Sequence, residues 1–208
     1  MIHTLSESIV EQYIPFLTNV LSASRLQHSL GVMQVMGELV EIYDLDRTQA
    51  LLAGLLHDAA KDLSVERQLA LAQEAQFEFR HECERHPVYL HALVGAYLVA
   101  KELGIADELI LDAISAHSDG GDKIGSNLQF QWCLQAADVL APVSEWPGMK
   151  KLRHIVYGGR LDEAALLRCH WLLEYFEKAG VPIHPNLAKK YRLLTDRLQI
   201  AEDFFERW

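Results

Sequence analysis

Apolar residues recur at helical spacing along nearly the whole of this 208-residue chain, and no stretch alternates apolar and polar residues in the manner of a half-buried strand. That restricts the chain to an all-α fold. The pattern predicts helices over Glu11–Leu21, with Ser6 or Ser8 as caps, and over Ser24–Tyr43, where Leu26, Leu30, Met33, Met36 and Val40 repeat. Asp46 is expected to cap a third, running to about Lys61. Further helices are expected from Ser64, from Pro87, from about Asp107, over Gln129–Leu140, over Asp162–Lys178, and from Asn186 to the end. Pro87, Pro142, Pro147, Pro182 and Pro185, with Gly120, Gly121, Gly158, Gly159 and Gly180, fall between these runs, where breakers belong.

Neither an internal repeat nor a low-complexity linker divides the chain, and its length suits one core. We expect a single domain over 1–208, with a core region at about 20–145 and C-terminal helices at about 146–208 packed on it. The formal net charge of -10, without a Lys/Arg cluster, argues against nucleic acid or an anionic membrane as partner. A small anionic substrate remains compatible, because a bound metal can supply local positive charge. Cys83, Cys133 and Cys169 are scattered and form no CxxC pair, which suits a reducing compartment. The first residues lack the pattern of a signal peptide, and Pro87–Ala100 is too short to span a bilayer, so the expected location is the cytoplasm. A homodimer is left open.

Chemistry enters at His57-Asp58, which follow the apolar run Leu51–Leu56 and have Lys61 one turn later. Helical neighbours point about 100° apart, so both can reach one centre only at the edge of a buried face. Ala50, Ala53 and Gly54 on that face are small enough to let another helix come close. An isolated His-Asp pair usually means a core histidine beside a solvated aspartate. Here other inward polar residues compete with that reading.

His28 shares its face with Val32, Val35 and Leu39, and His91 shares its own with Val88, Val94 and Leu98. His117 ends a helix behind Ile110, Ala113 and Ile114, and Asp138 interrupts the nearly apolar run Leu134–Ala141. An unpaired buried carboxylate costs several kcal/mol or protonates. One metal ion pairing several inward His and Asp residues is the economical explanation. By contrast His3, His81, His86 and His154 lie in polar or mixed segments and are expected on the surface. His170 is expected to be structural, having no acidic companion on its face, and His184, between two prolines, is placed to line a pocket.

The ordered set resembles the HD-domain phosphohydrolases, and in detail the YqeK-type symmetrical diadenosine tetraphosphate hydrolases. The resemblance rests on Arg25–Val32, Gly54–Lys61, His91–Ala96, Ala113–Ser118, and Ala137-Asp138 with the later Pro147–Arg153. It implies an HD-domain helical bundle in which His28, His57, Asp58 and Asp138 hold iron, with manganese or another divalent transition metal as the alternative. His91 and His117 face the same cavity, either binding a second metal with Asp58 bridging or contacting phosphates. The resemblance further implies Asp58, Lys61, His91 and His117 as catalytic residues, and Arg25, Lys61, His91, His117, Lys123 and His184 as substrate contacts. The expected reaction is hydrolysis of a phosphoanhydride in a dinucleoside polyphosphate, diadenosine tetraphosphate giving two ADP. The chain departs from the family at Ala141 and Ser144, where a Glu and an Arg are usual, and at Ser118, which keeps the hydroxyl of the usual Thr. Those departures keep open a hydrolase acting on another nucleotide, such as a mononucleotide or a guanosine polyphosphate. A non-catalytic nucleotide sensor is the other alternative, and the complete set of metal-site residues counts against it.

Overall fold

The computed structural model describes residues 5–118, 128–142, 148–200 and 204–205. Among them are ten α-helices, one 3-10 turn and no strand. The helices are α1 (Leu5–Val20), α2 (Ala23–Tyr43), α3 (Arg47–Leu56), α4 (Val65–Glu74), α5 (Pro87–Leu103), α6 (Glu108–Ala116), α7 (Leu128–Leu140), α8 (Met149–Tyr157), α9 (Leu161–Ala179) and α10 (Pro185–Leu198). The all-α expectation from periodicity holds.

Helix starts follow capping chemistry. Ser22, Asp46, Ser64 and Asp107 each accept a backbone N–H of the first turn with a side-chain oxygen. Two starts use a different device, the dipeptide His-Pro. At His86-Pro87 and His184-Pro185 the proline takes the first helical position, where no N–H is needed, and the histidine ring accepts from the residue after it. Gly104 and Gly180 close α5 and α9 in the left-handed region, at φ 67° and 68°.

Several boundaries differ from expectation. α1 begins at Leu5, so Ser6 and Ser8 lie inside it instead of capping it. α3 ends at Leu56, not Lys61, and the chain continues through tight turns in which Ala59, Lys61 and Leu63 donate to the carbonyls three residues back. α10 ends at Leu198, where Gln199 turns left-handed. α8, which the pattern left unassigned, buries Leu152, Ile155 and Val156 on one face of an otherwise polar segment.

α2 and α3 form the centre of the bundle, with α7 against both and α6 against α3 and α7. Nearly every residue of α3 from Ala50 onward is buried. The closest approach is at Gly54, where a Cβ would stand 2.7 Å from the Met33 Cα and 2.9 Å from its nitrogen. Only a residue without a side chain lets α3 lie directly on the α2 backbone. One apolar cluster joins α1, α2, α3, α6 and α7 to α8 and α9, and a second lies between α4 and α5. Each buried Leu among them contributes ~1.5–3 kcal/mol. A third cluster, Tyr89, Cys169, Leu172, Phe176 and Leu187, ties α5 to α9 and α10.

Candidate metal centre

Five elements converge on Asp58, which is 2% exposed at the first turn beyond α3. One carboxylate oxygen, Oδ2, lies 3.4 Å from His57 Nε2 and 3.9 Å from His28 Nε2. The other, Oδ1, lies 3.3 Å from His91 Nε2 and 3.4 Å from His117 Nε2. Asp138, at the end of α7, closes the first side, with its Oδ1 2.9 Å from His28 Nε2 and 3.6 Å from His57 Nε2. Two triads result, His28–His57–Asp58 and Asp58–His91–His117, each with ligand atoms close enough to hold an ion. They share one carboxylate.

The ending of α3 makes this possible. Leaving the regular helix at Leu56 lets the consecutive residues His57 and Asp58 face a common point. Gly54 brings α3 onto α2, which carries His28 to the same place.

Tautomers are fixed by the neighbours of each Nδ1. A carbonyl oxygen can only accept, so His57 Nδ1–H donates to the Gly54 carbonyl at 2.9 Å, His91 Nδ1–H to Pro87 at 2.8 Å, and His117 Nδ1–H to Ile114 at 2.7 Å. Each neutral ring therefore turns an Nε2 lone pair inward. His57 Nε2 is buried and has no hydrogen-bond partner among the described residues. His91 and His117 face one another through Nε2 at 3.1 Å, two lone pairs that repel unless positive charge lies near both. This donor set fits a divalent cation: imidazole nitrogens with fixed second partners, plus carboxylates.

Without an ion, a proton on His57 supplies the positive charge that the two carboxylates demand. Burial alone would push His57 down, but Asp58 and Asp138 outweigh it and raise its pKa to about 10. Burial would likewise raise the two carboxyls, yet their histidine neighbours hold both well below the usual carboxylate range. His91 goes the other way: burial, with Lys61 and His117 nearby, lowers it to about 4, so its lone pair stays available at neutral pH.

Two cations border the centre. Arg25 Nη1 donates to Asp58 Oδ2 at 2.9 Å while its side chain remains 32% exposed, and Lys61 Nζ lies 3.2 Å from His91 Nε2. Of the residues picked out in the sequence, the structure gathers Arg25, His28, His57, Asp58, Lys61, His91, His117 and Asp138. Lys123 and Ser144 lie outside the described residues. Ala141 is fully buried, and its Cβ would be 3.5 Å from a Cβ at Gly31.

His184, expected to line a pocket, is packed against Tyr89 and Glu84. Its ring is fully buried; Nδ1 accepts from Asn186 N at 3.1 Å, so Nε2 carries the proton and donates to Glu84 Oε1 at 3.2 Å. The group His81, Glu84 and His184 has metal-like proximity. With Nδ1 capping α10, however, His184 has no lone pair left for an ion. His86 caps α5 in the same way, through Nδ1. His170 is partly buried, stacks on Phe205 at 4.0 Å centroid separation with Tyr191 beside both, and does have an acidic neighbour, Glu174 Oε1 at 3.4 Å.

A family model for the HD domain matches residues 25–143, a span that holds all eight gathered side chains. The chain belongs to the HD domain family. The chain is 30% identical over 175 residues, 84% of its length and 91% of the relative, to a symmetrical bis(5'-nucleosyl)-tetraphosphatase of Bacillus subtilis. A protein of the same name from Halalkalibacterium halodurans is 30% identical over 176 residues, 84% of this chain and 90% of that one. Among solved structures, an HD superfamily hydrolase of Clostridium acetobutylicum, described as involved in NAD metabolism, superposes with a TM-score of 0.82. It is 30% identical, and the match covers 90% of this chain and 97% of that one. No helix among the described residues of this HD protein is long and apolar enough to cross a membrane.

Proposed function

We propose that this chain hydrolyses dinucleoside tetraphosphates symmetrically, converting diadenosine tetraphosphate and water into two ADP. The observation that carries the reading is the double triad on Asp58 with Arg25 and Lys61 at its edge. His28, His57, Asp58 and Asp138 would hold one ion, and His91 and His117, with the second oxygen of Asp58, either another ion or the phosphates themselves. Iron is our first choice and manganese the second, since imidazole and carboxylate suit both. When bound, such a metal supplies a Lewis acid and a water acidic enough to be activated near neutral pH.

The chain's own groups do the rest. Arg25 and Lys61 neutralise and orient phosphate oxygens, which is the main protein contribution where charge spreads over a phosphoryl group. If not engaged as a ligand, His117 carrying a second proton on Nε2 gives it to the departing phosphate oxygen; His91, held neutral by burial, is suited to accept a proton instead. Cleavage at the central anhydride places the water oxygen on one β-phosphorus and leaves the bridging oxygen with the other ADP. The names of the relatives support this substrate, and about 30% identity over most of the chain is the basis for the transfer. We place the enzyme in the cytoplasm, where its three free cysteines would stay reduced.

Metal analysis of protein purified without chelator, followed by chromatography of the products from diadenosine tetraphosphate, tests the proposal. ADP alone is expected. ATP with AMP would mean asymmetric cleavage, and no turnover with iron or manganese would discard this substrate.

A further inference from the structure

The His117 side of the centre is held from helices beyond the segment that matches the HD domain family. α6 ends at Ala116, and the last carbonyls of a helix lack intrahelical partners and carry the negative end of its dipole. Two of these carbonyls receive buried side chains. Arg168, on α9, donates from Nη2 to the His117 carbonyl at 3.0 Å. Gln135, on α7, donates from Nε2 to the Ala116 carbonyl at 2.9 Å, and its own oxygen accepts from Lys190 Nζ on α10. Arg168, Gln135 and Lys190 are 5%, 4% and 7% exposed.

The His117 ring is tied by Nδ1–H to Ile114 of the same turn, so the end of α6 and the ring move together. Ligand distances at a metal tolerate only about 0.2 Å. Whatever fixes that turn therefore fixes where Nε2 meets the ion. We propose that Arg168, with Lys190 and Gln135 as a second arm, is a positioning residue for His117, making α9 and α10 part of the metal centre. The inference rests on reading the His/Asp cluster as a metal site.

Packing alone does not account for these residues. A buried cation can often be exchanged for an apolar side chain of similar volume with no loss of stability, or with a gain. A purely structural role and a positioning role thus predict different behaviour for Arg168→Met. If the role is structural, folding and metal binding change together or not at all. If it is positioning, metal binding weakens while folding stays.

The test titrates metal-free protein with manganese(II) alone, reading free ion by electron paramagnetic resonance, alongside thermal unfolding without metal. Wild type, R168M, R168K and K190M are compared. We expect R168M to bind manganese ~10–100-fold more weakly, the usual cost of losing a support behind a ligand, with an unfolding midpoint equal to or above wild type. R168K should recover most of the affinity, because an ammonium can still donate to the His117 carbonyl, and K190M should show a smaller loss. Affinity within twofold of wild type in R168M overturns the proposal. So does a loss that R168K fails to recover. Should R168M not fold, K190M decides on the same terms: weaker binding at unchanged folding supports the inference, and unchanged binding overturns it. These isotherms contain no nucleotide, so the wrong substrate assignment would leave them untouched.

Discussion

Arg25 Nη1 lies 2.9 Å from Asp58 Oδ2, the oxygen turned toward His28 and His57, while His91 and His117 face Oδ1. A partly exposed cation thus rests on the one carboxylate common to both triads. From there it can meet an incoming phosphate without leaving the centre.

Arg25→Ala is expected to raise KM for the dinucleotide ~10–100-fold, the effect of losing ~1.5–3 kcal/mol of charged hydrogen bonding. Lys61→Met should behave alike. Metal per chain should stay at the wild-type level in both, as elemental analysis would show. Metal lost in step with activity would instead make these cations part of the ion's own support.

Asp58→Ala removes the ligand shared by the two triads, and His57→Ala removes the ring whose Nε2 has no hydrogen-bond partner among the described residues. Both variants should lose metal to background and show no turnover. Circular dichroism should still report near-native helicity, since neither side chain fills much of the apolar core. Normal turnover by D58A would rule out the assignment.

The metal-free protein should bind a proton where the metal goes. His57 is raised from 6.5 to about 10, so between those values the folded protein holds a proton that the unfolded chain does not. The stability it brings is complete below about 6.5 and disappears as pH rises through about 10. An ion must displace that proton, so metal binding near pH 8 should release it, and apparent affinity should climb with pH across the window. Calorimetry in buffers of different ionisation enthalpy counts the protons; none released would contradict the charge balance described for His57.

Much of this was legible in the sequence, and the exceptions have physical causes. Asp46, Ser64 and Asp107 announced their helices because capping is local chemistry, whereas α2 is capped by Ser22, two residues before its expected start. The inward faces of His28, His91 and His117 followed from spacing. How His57 and Asp58 could both point inward did not, because the answer combines the early end of α3 at Leu56 with its close seat on α2 at Gly54, and neither leaves a periodic trace. α8 went unassigned because Lys150, Lys151, Arg153 and His154 dilute a short apolar face. Arg168, Gln135 and Lys190 carry no motif, since a side chain that donates to a distant carbonyl leaves no periodic trace. The one available hint was polarity inside apolar runs, as at Gln135 within Leu134–Ala141.

Gly54→Ala should be costly for its size. Its Cβ would stand 2.7–2.9 Å from Met33 backbone atoms, which cannot rotate away. Overpacking of this kind costs ~1–3 kcal/mol, and the separation of α3 from α2 would also pull His57 from His28. A lower unfolding midpoint together with weaker metal binding is expected; an unchanged midpoint would show that the helices can part freely.

His184→Ala separates cap from substrate contact. It removes the acceptor at the start of α10 and leaves Glu84 without its ring partner, so stability should fall by ~1–3 kcal/mol. KM and kcat of the folded fraction should remain within twofold. A large rise in KM at unchanged stability would restore His184 to the substrate site.

The His-Pro caps have a consequence for how such a sequence can drift. At position 86 the ring caps α5 through Nδ1, an acceptor close to the main chain, and the short side chains of Asn, Asp or Ser can present an oxygen at a similar reach. At positions 57, 91 and 117 the ring serves through its far nitrogen while the near one is anchored, two tasks at opposite edges of a rigid plane. No other side chain offers a donor at one edge and a nitrogen lone pair at the other. Histidine at the start of α5 is thus one spelling among several, whereas around Asp58 it has no synonym.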